Sequence, residues 1–176
     1  MDLFRCESIL LRTHYVMIVM DHFTREIIGT AVMACCPNGT AVCRAFATVA
    51  TRSGRVPNFL STDNDPLFRF HQWRCNLSIL EIEEIKTVPE CPWSHPYVER
   101  AIGTVRRECL DQQLFWNAHD LHNKLGEFNC YYNEARVHSS IKATPKTEES
   151  QIRKIVMRNY TWKSYCPGLY SVPISA

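Results

Sequence analysis

Two carboxylate side chains, Asp63 and Asp65, lie close together in the sequence STDNDPLF (residues 61–68). They flank Asn64 and directly follow an apolar stretch at residues 56–60. Carboxylate oxygens are ligands that Mg²⁺ prefers, so this segment could supply half of a metal site. Asp, Asn and Pro are also common turn formers, because Asx side chains bond nearby backbone and Pro fixes φ. The segment alone favours a turn, and residues elsewhere must decide between the two interpretations.

A third carboxylate, Glu99, lies near the start of the sequence YVERAIGTVRREC. Residues 64–98, 35 in all, separate it from Asp63. Pro96 suits the first turn of a helix, which places Glu99 near a helix N-terminus. A glutamate there complements the helix dipole by a few tenths to about 1 kcal/mol without any catalytic role. Taken singly, Asp63 and Glu99 each favour a structural role. Their joint spacing favours the functional interpretation.

The elements that must position these side chains alternate between strands and helices. HYVMIVMDHF (residues 14–23) and REIIGTAVMA (residues 25–34) are joined by a link too short for a parallel crossover, which predicts an antiparallel hairpin. The apolar spacing of residues 39–54 predicts an amphipathic helix. A strand predicted at residues 56–63 follows, and the strand, helix, strand order places it parallel within the sheet. Asp63 then lies at the carboxyl end of a parallel strand, where open α/β sheets bind ligands.

The remaining pattern predicts three more helices and one more strand. One face of the helix that carries Glu99 is apolar, and Glu99 lies off that face. In chain order, the sequence predicts a helix over residues 66–77, a strand over 78–87, a proline-rich loop over 88–96, a helix over 97–110 and a helix over 117–133.

Length and composition limit the class of protein. The 176 residues are 45% hydrophobic and 22% charged, which suits one globular domain with a sizeable core. No apolar run approaches the roughly 18 residues of a membrane helix and no signal-peptide layout is present, so we expect a cytoplasmic protein without a membrane partner. Nine cysteines, an odd number without a CxxC pair, indicate reduced thiols. The net charge of +2 shows that the chain as a whole is not strongly basic, as many nucleic-acid-binding proteins are. Three arginines, Arg100, Arg106 and Arg107, nevertheless cluster in the sequence.

Five segments of the chain resemble the integrase core superfamily, which comprises retroviral integrases and the DDE transposases of bacterial insertion sequences. The likeness covers nearly all of residues 2–148. Its most specific features are the (S/T)DN turn at a strand end, the YVE sequence at the right distance and the GTxRRE continuation. The matching segments are MDLF, MIVMDHFTREIIGTAV, LSTDNDPLF, PWSHPYVERAIGTVRREC and YYNEARVHSSIKATP.

The resemblance implies an α/β, ribonuclease-H-like fold. In that fold a five-stranded mixed sheet, whose first three strands are antiparallel, is flanked by helices. The catalytic core would occupy residues 1–148, and residues 149–176 would form a C-terminal tail or arm. The family further implies DNA as a partner, a homodimer or higher multimer, and a place at the bacterial nucleoid.

Three metal-binding carboxylates are implied by the same resemblance, and the second and third match Asp63 and Glu99. The first matches Asp2 rather than Asp21, because the aspartate of the DHFTR-like turn normally serves that turn. The implied cofactor is Mg²⁺ or Mn²⁺, with two ions when DNA is bound and Asp2 bridging them. Two such ions activate an attacking oxygen and stabilise a leaving oxygen, so no protein nucleophile is required.

Further residues are expected near DNA or near the metal. Arg106 lies about 10 Å beyond Glu99 on the same helix side and could meet a phosphate, although a solvated surface arginine is an equally good interpretation. Asp65 is expected to be a helix cap or an outer carboxylate near the metal. A capping or packing role is favoured for His95. The residues expected to contact DNA are Asn64, His95, Arg106 and Arg107.

Two functions remain open from the sequence. The first is a metal-dependent integrase or transposase core that cleaves and transfers DNA strands. The second is a catalytically inactive, truncated remnant that keeps dimerisation or DNA binding, because Asp2 directly follows Met1 and we expect a shortened first strand. A cellular ribonuclease of the same fold is disfavoured, since such enzymes lack the YVE and GTxRRE context.

Overall fold

A computed structural model provides the fold and describes residues 1–34, 36–87, 96–138, 144–145 and 160–175. The described elements are, in chain order, β1 (Asp2–Glu7), β2 (Thr13–Met20), β3 (Ile27–Ala34), α1 (Gly39–Ser53), β4 (Phe59–Thr62), a 3₁₀ helix (Pro66–Arg69), α2 (His71–Ile79), β5 (Glu83–Lys86), α3 (Pro96–Val105), a π-helical turn (Arg106–Leu110), α4 (Ala118–Glu134), β6 (Tyr160–Tyr165) and β7 (Tyr170–Ser175).

The first three strands form an antiparallel sheet in the order β1–β2–β3, which confirms the predicted hairpin. The central strand β2 is the most deeply buried, with Val16, Met17 and Ile18 inaccessible to solvent. Such a continuous apolar run is expected where both faces of a sheet are covered. All six residues of β1, from Asp2 to Glu7, pair with β2.

The parallel part of the sheet consists of β4 and β5, as the strand, helix, strand pattern predicted. The Met1 amino group donates to the Ser61 carbonyl at 2.9 Å, which connects the start of β1 to β4. Among the described residues, β1 to β3 form one sheet and β4 with β5 form a second beside it. The expected five strands are therefore present, but within the described ranges they form a three-stranded and a two-stranded sheet instead of one continuous hydrogen-bonded sheet.

Helices cover both faces of the antiparallel sheet and give each face its own core. Neighbouring residues of β2 point to opposite faces, so Met17 contributes to one core and Ile18 to the other. Under α1 and α2 the core contains Val42, Phe46, Val49, Phe68 and Trp73. Under α3 and α4 it contains Val98, Val105, Leu121, Leu125 and Phe128.

Two predicted elements are wrong in their extent. The helix predicted over residues 66–77 is divided at Phe70, whose backbone is extended with ψ of 136°. The strand predicted over residues 78–87 is only four residues long, because α2 continues to Ile79. A turn then follows, in which Glu81 has a φ of +55° and Ile82 N–H donates to the Leu77 carbonyl.

The two helices predicted after the proline-rich loop are confirmed, with small differences. The first starts at Pro96 and buries Val98 and Val105, but its last turn is π-helical rather than α-helical. The second begins after Asn117, whose side chain accepts from Asp120 N–H at 2.9 Å. The loop predicted over residues 88–96 lies, except for Pro96, outside the described residues.

The C-terminal strands β6 and β7 form an antiparallel hairpin that packs on α4 and the π-helical turn. Tyr165 and Cys166 are buried in the core between these elements. The Tyr170 ring stacks on Tyr131 with 4.0 Å between ring centroids, and its hydroxyl donates to the Glu108 carbonyl at 2.6 Å. This part of the expected tail therefore belongs to the folded unit.

Every cysteine whose state the structure describes is a free thiol, in agreement with the odd count. None of the described helices is long and apolar enough to cross a lipid bilayer.

Candidate active site

The sequence STDNDPLF forms a turn after β4 in which the two aspartates have different roles. Asp65 caps the 3₁₀ helix, because its Oδ1 accepts from Leu67 N–H at 2.8 Å. Asp63 Oδ1 accepts only a longer bond of 3.2 Å from Asp65 N–H. Asn64 Nδ2 donates to the Thr87 carbonyl at 2.8 Å and ties the turn to the end of β5. The cap role of Asp65 is thus confirmed, and the Asp63 carboxylate is less committed to the turn.

Asp2 lies at the start of β1, opposite Ile18 of β2. Its Oδ1 accepts from Leu3 N–H at 2.6 Å. The contact between the preceding Met1 and Ser61 places Asp2 beside the end of β4, and Asp63 directly follows that strand. Two neighbouring strand ends therefore bring Asp2 and Asp63 to the same edge of the sheet.

The charges of Asp63 and Glu99 act on the carboxylate of Asp2. Burial is the main cause that raises the pKa of Asp2 to about 6, and the charges of Asp63 and Glu99 raise it further. Burial also raises the pKa of Asp63 above its ordinary value, against the opposing bond from Asp65 N–H. Charge interactions fall with distance, so Asp63 and Glu99 both lie within electrostatic range of Asp2 in the fold.

This donor set suits a hard divalent cation. Each of the three side chains offers carboxylate oxygens, and none forms a salt bridge within the part of the chain that the structure describes. A cation would relieve their mutual repulsion. The described residues contain no three acidic, His or Cys side chains grouped closely enough to hold an ion as they stand.

Asp21 serves the turn between β2 and β3. Its Oδ1 accepts from Phe23 N–H at 2.8 Å, and its carbonyl accepts from Arg25 N–H at 3.0 Å. Asp21 is absent from the described charges that shift the pKa of Asp2, whereas Asp63 and Glu99 are among them. These contacts favour Asp2 over Asp21 as the first metal ligand.

Arg25 connects the same hairpin turn to α3, a contact that the sequence alone does not predict. Its φ is +66° and its guanidinium lies 3.1 Å from the centroid of the Tyr97 ring. Because Tyr97 precedes Glu99 by two residues, this stacking holds the first turn of α3 beside the sheet. The DHFTR sequence indicated a structural turn, but the contact with Tyr97 depends on tertiary structure.

Arg106 is exposed, but its guanidinium contacts β1. Its Nη2 donates to the Arg5 carbonyl at 3.2 Å, and its guanidinium lies 5.5 Å from the centroid of the Phe4 ring. This placement favours the structural interpretation of Arg106. Asn64 is anchored through its amide nitrogen, and His95 lies outside the described residues.

Arg107 is exposed and folds back over Gly103. A Cβ built on Gly103 would lie 3.3 Å from Arg107 Nη1, so the absence of a side chain makes room for the guanidinium. Glu99, Gly103 and Arg107 are spaced four residues apart and share one stripe of the helix. Arg107 is therefore the arginine of this stretch whose placement suits a ligand near Glu99.

A polar network lies beneath the Asp63 turn and was not foreseen from the sequence. Glu84 Oε1 accepts from Trp73 Nε1 at 2.9 Å, from Thr62 Oγ1 at 2.7 Å and from Lys86 Nζ at 2.6 Å. The alternation of EEIK indicates that Glu84 and Lys86 share one face of β5. Their partners on β4 and α2 depend on the packing of distant segments.

Comparison with known proteins identifies similar sequences and structures. A family model described as integrase core domain matches residues 80–145. An uncharacterized 39.2 kDa protein of the insertion element IS476 from Xanthomonas euvesicatoria is 29% identical over 152 residues. That alignment covers 86% of this chain and 43% of the relative, so the chain spans less than half the length of this relative.

Solved integrase structures share the fold. One similar structure is a chain of the simian T-cell lymphotropic virus intasome, solved with the PP2A regulatory subunit B56 gamma, with a TM-score of 0.71. The sequence identity is 16%, and the alignment covers 98% of this chain and 64% of that chain. The dimeric HTLV-2 integrase catalytic core domain in complex with magnesium has a TM-score of 0.63 and 17% identity over 82% of this chain and 89% of that chain. The α/β, ribonuclease-H-like fold class is therefore confirmed.

Proposed function

We propose that this chain, whose residues 80–145 match an integrase core domain, is the catalytic core of a DDE-type integrase or transposase. Its reaction would be metal-dependent cleavage and transfer of DNA strands. One observation carries the proposal: the charges of Asp63, in the turn after β4, and of Glu99, in the first turn of α3, raise the pKa of Asp2 on β1.

The proposed chemistry is an in-line displacement at a DNA phosphodiester. A water molecule attacks phosphorus in strand cleavage, and a DNA 3′-hydroxyl attacks in strand transfer. The attacking oxygen loses its proton as the new P–O bond forms, and the bond to the leaving 3′ oxygen breaks as that oxygen gains a proton. Bound Mg²⁺ or Mn²⁺ would supply Lewis acidity at the attacking and leaving oxygens.

The three carboxylates have distinct positions in this proposal. Asp2 and Asp63 come from neighbouring strand ends and form the fixed part of the site. Glu99 is exposed on α3 and approaches from the helix. Because the pKa of Asp2 is about 6 in the absence of metal, protons compete with the metal for this carboxylate near that pH.

We assign DNA backbone contact to Arg107 before Arg106. The Arg107 guanidinium is exposed on the stripe that carries Glu99, where it can neutralise a phosphate beside the reacting one. Arg106 is bound to β1, and its contacts favour holding that strand. The contacts that the sequence predicts from Asn64 and His95 to DNA remain predictions.

A second copy of the chain is a further proposed partner. Solved HTLV-2 integrase core domains occur in dimeric and trimeric forms. Analytical ultracentrifugation over a range of protein concentrations measures the assembly state of this chain, and a monomer at every concentration would contradict the proposal.

A strand cleavage and joining assay tests the function. The protein is incubated with a branched DNA oligonucleotide and Mn²⁺ or Mg²⁺, and the products are separated on a denaturing gel. We expect metal-dependent products from the native chain and their loss in Glu99→Gln, which keeps the size of the side chain but removes its charge. Glu127→Gln, at an exposed position of α4, is the matched control and should retain activity. Equal yields from the native chain and Glu99→Gln would contradict the proposal.

A catalytically inactive module that binds DNA or dimerises is the second candidate. It is favoured by the observation that the described carboxylates are not yet grouped tightly enough to hold an ion. The same assay separates the candidates. An inactive module would bind the branched DNA and give no metal-dependent product with either the native chain or the variants.

A further inference from the structure

Lys86 lies beneath the proposed metal site and bonds to oxygens from several elements. The ammonium contacts the end of β4, the turn that follows it, the 3₁₀ helix and a second side chain of β5. Its Nζ is 2.6 Å from Glu84 Oε1, 2.9 Å from Thr62 Oγ1, 3.3 Å from the Phe68 carbonyl and 3.5 Å from the Asp63 carbonyl.

Glu84 fixes this ammonium in place. Its carboxylate also accepts from Trp73 Nε1 and from Thr62 Oγ1, and the Trp73 ring is fully buried in the core. Burial opposes ionisation of Glu84, but the bonds from Lys86, Trp73 and Thr62 outweigh it and lower its pKa. Glu84 therefore links Lys86 to the buried Trp73 through hydrogen bonds to both residues.

The bond from Lys86 reaches the backbone of Asp63 itself. The Asp63 side chain also accepts from Asp65 N–H at 3.2 Å, while Asn64 donates to the Thr87 carbonyl and Asp65 caps the 3₁₀ helix. Because Lys86 binds carbonyls at both ends of the turn, at Asp63 and Phe68, it limits how far the turn can open. The direction of the Asp63 side chain depends on this backbone.

We propose that Lys86 is a positioning residue that holds the Asp63 turn in the conformation that binds the divalent cation. The inference rests on the proposed function. An ammonium has no lone pair and cannot be a metal ligand, so Lys86 acts through Asp63. Its ammonium is paired with the Glu84 carboxylate at 2.6 Å.

Mn²⁺ binding to Lys86→Met tests the inference, with free Mn²⁺ followed by electron paramagnetic resonance. Methionine keeps an unbranched side chain and removes the ammonium. Loss of a residue that orients a ligand typically weakens metal affinity by about 10- to 100-fold, and we expect a loss in that range.

Lys124→Met is the matched control. Lys124 also bonds to a carboxylate, Asp120 Oδ1 at 2.7 Å, and to a backbone carbonyl, that of Leu114 at 2.9 Å. It lies on α4, away from the Asp63 turn. Its replacement should leave the Mn²⁺ affinity unchanged.

Amide hydrogen exchange gives a readout that a general loss of stability would not produce. In Lys86→Met the amides of Asp65, Leu67 and Phe68 should exchange faster, whereas the amide of Met17 in the core should change no more than in Lys124→Met. Lys86→Arg keeps a cation with several donors and should recover part of the lost affinity.

The outcomes separate this inference from the proposed function. A native chain that does not bind Mn²⁺ overturns the proposed function. A native chain that binds Mn²⁺ with the same affinity as Lys86→Met overturns the inference, as does equal weakening in Lys86→Met and Lys124→Met. Should Lys86→Met not fold, Glu84→Gln removes only the ion pair, and an affinity equal to that of Lys124→Met would also overturn the inference.

Discussion

Removing the charge of Asp2 should stabilise the metal-free protein. Asp2 is largely buried beside Asp63 and Glu99, and its pKa is raised from an ordinary value of 3.8 to about 6. The folded state therefore holds the Asp2 proton more tightly than the unfolded chain does. The resulting contribution to stability is full below about pH 4 and is lost as the pH rises through about 6.

The size of this effect follows from the pKa difference. At 1.36 kcal/mol for each pH unit, a change from 3.8 to about 6 corresponds to about 3 kcal/mol. Asp2→Asn keeps the shape of the side chain and its acceptor for Leu3 N–H, but carries no charge at neutral pH. Without metal it should be up to about 3 kcal/mol more stable than the native protein at pH 7.5.

Urea unfolding in EDTA at pH 4 and pH 7.5 measures this difference. The stability gap between Asp2→Asn and the native chain should be small at pH 4 and large at pH 7.5. Asp21→Asn, in the hairpin turn, is the control and should not show this pH-dependent gain. An Asp2→Asn variant that is no more stable than the native chain at pH 7.5 would refute the electrostatic reasoning.

Two further predictions concern the scaffold that carries the site. Asn133→Ala should lower the free energy of unfolding by about 2–4 kcal/mol in urea, because both backbone groups of Ile27 lose a buried partner at 2.9 Å. Tyr170→Ala removes the ring stacked on Tyr131 and the hydroxyl bonded to the Glu108 carbonyl, so limited proteolysis should cut the β6–β7 hairpin before the rest of the chain.

Exposed residues of the same elements are the controls for these two variants. Asn123→Ala on α4 and Trp162→Ala on β6 change side chains that face solvent. Each should leave stability and protease resistance close to those of the native chain. If Asn123→Ala costs as much as Asn133→Ala, or Trp162→Ala opens the hairpin as Tyr170→Ala does, the assigned contacts are wrong.

Most of the scaffold was predictable where the sequence pattern is local. The run of apolar residues in β2 and the short link to β3 predict the hairpin, because two strands so connected can only pair antiparallel. The break at Phe70 was not predictable, because it depends on a distant contact. The Phe70 ring packs against Gly39 so closely that a Cβ there would lie 2.0 Å from a ring atom.

The candidate site likewise has residues that the sequence predicts and residues whose roles depend on tertiary structure. Asp63 and Glu99 were identified from their spacing and their resemblance to a family, both of which the sequence contains. The family match selects Asp63 rather than Asp65 from the sequence, and the hydrogen bond from Leu67 N–H to Asp65 agrees with a capping role for Asp65. Lys86 and Arg25 could not be assigned from sequence, since their roles depend on partners in other elements.

Mn²⁺ titration of the native chain, Asp63→Asn and Asp65→Asn is the most direct measurement of the proposed metal site. Asparagine keeps the turn bonds at both positions, because it remains a good cap and acceptor. A site built from Asp2, Asp63 and Glu99 predicts that Asp63→Asn weakens Mn²⁺ binding by at least about tenfold, whereas Asp65→Asn binds as the native chain does. Equal affinity in all three proteins, or no binding by the native chain, would contradict the three-carboxylate site.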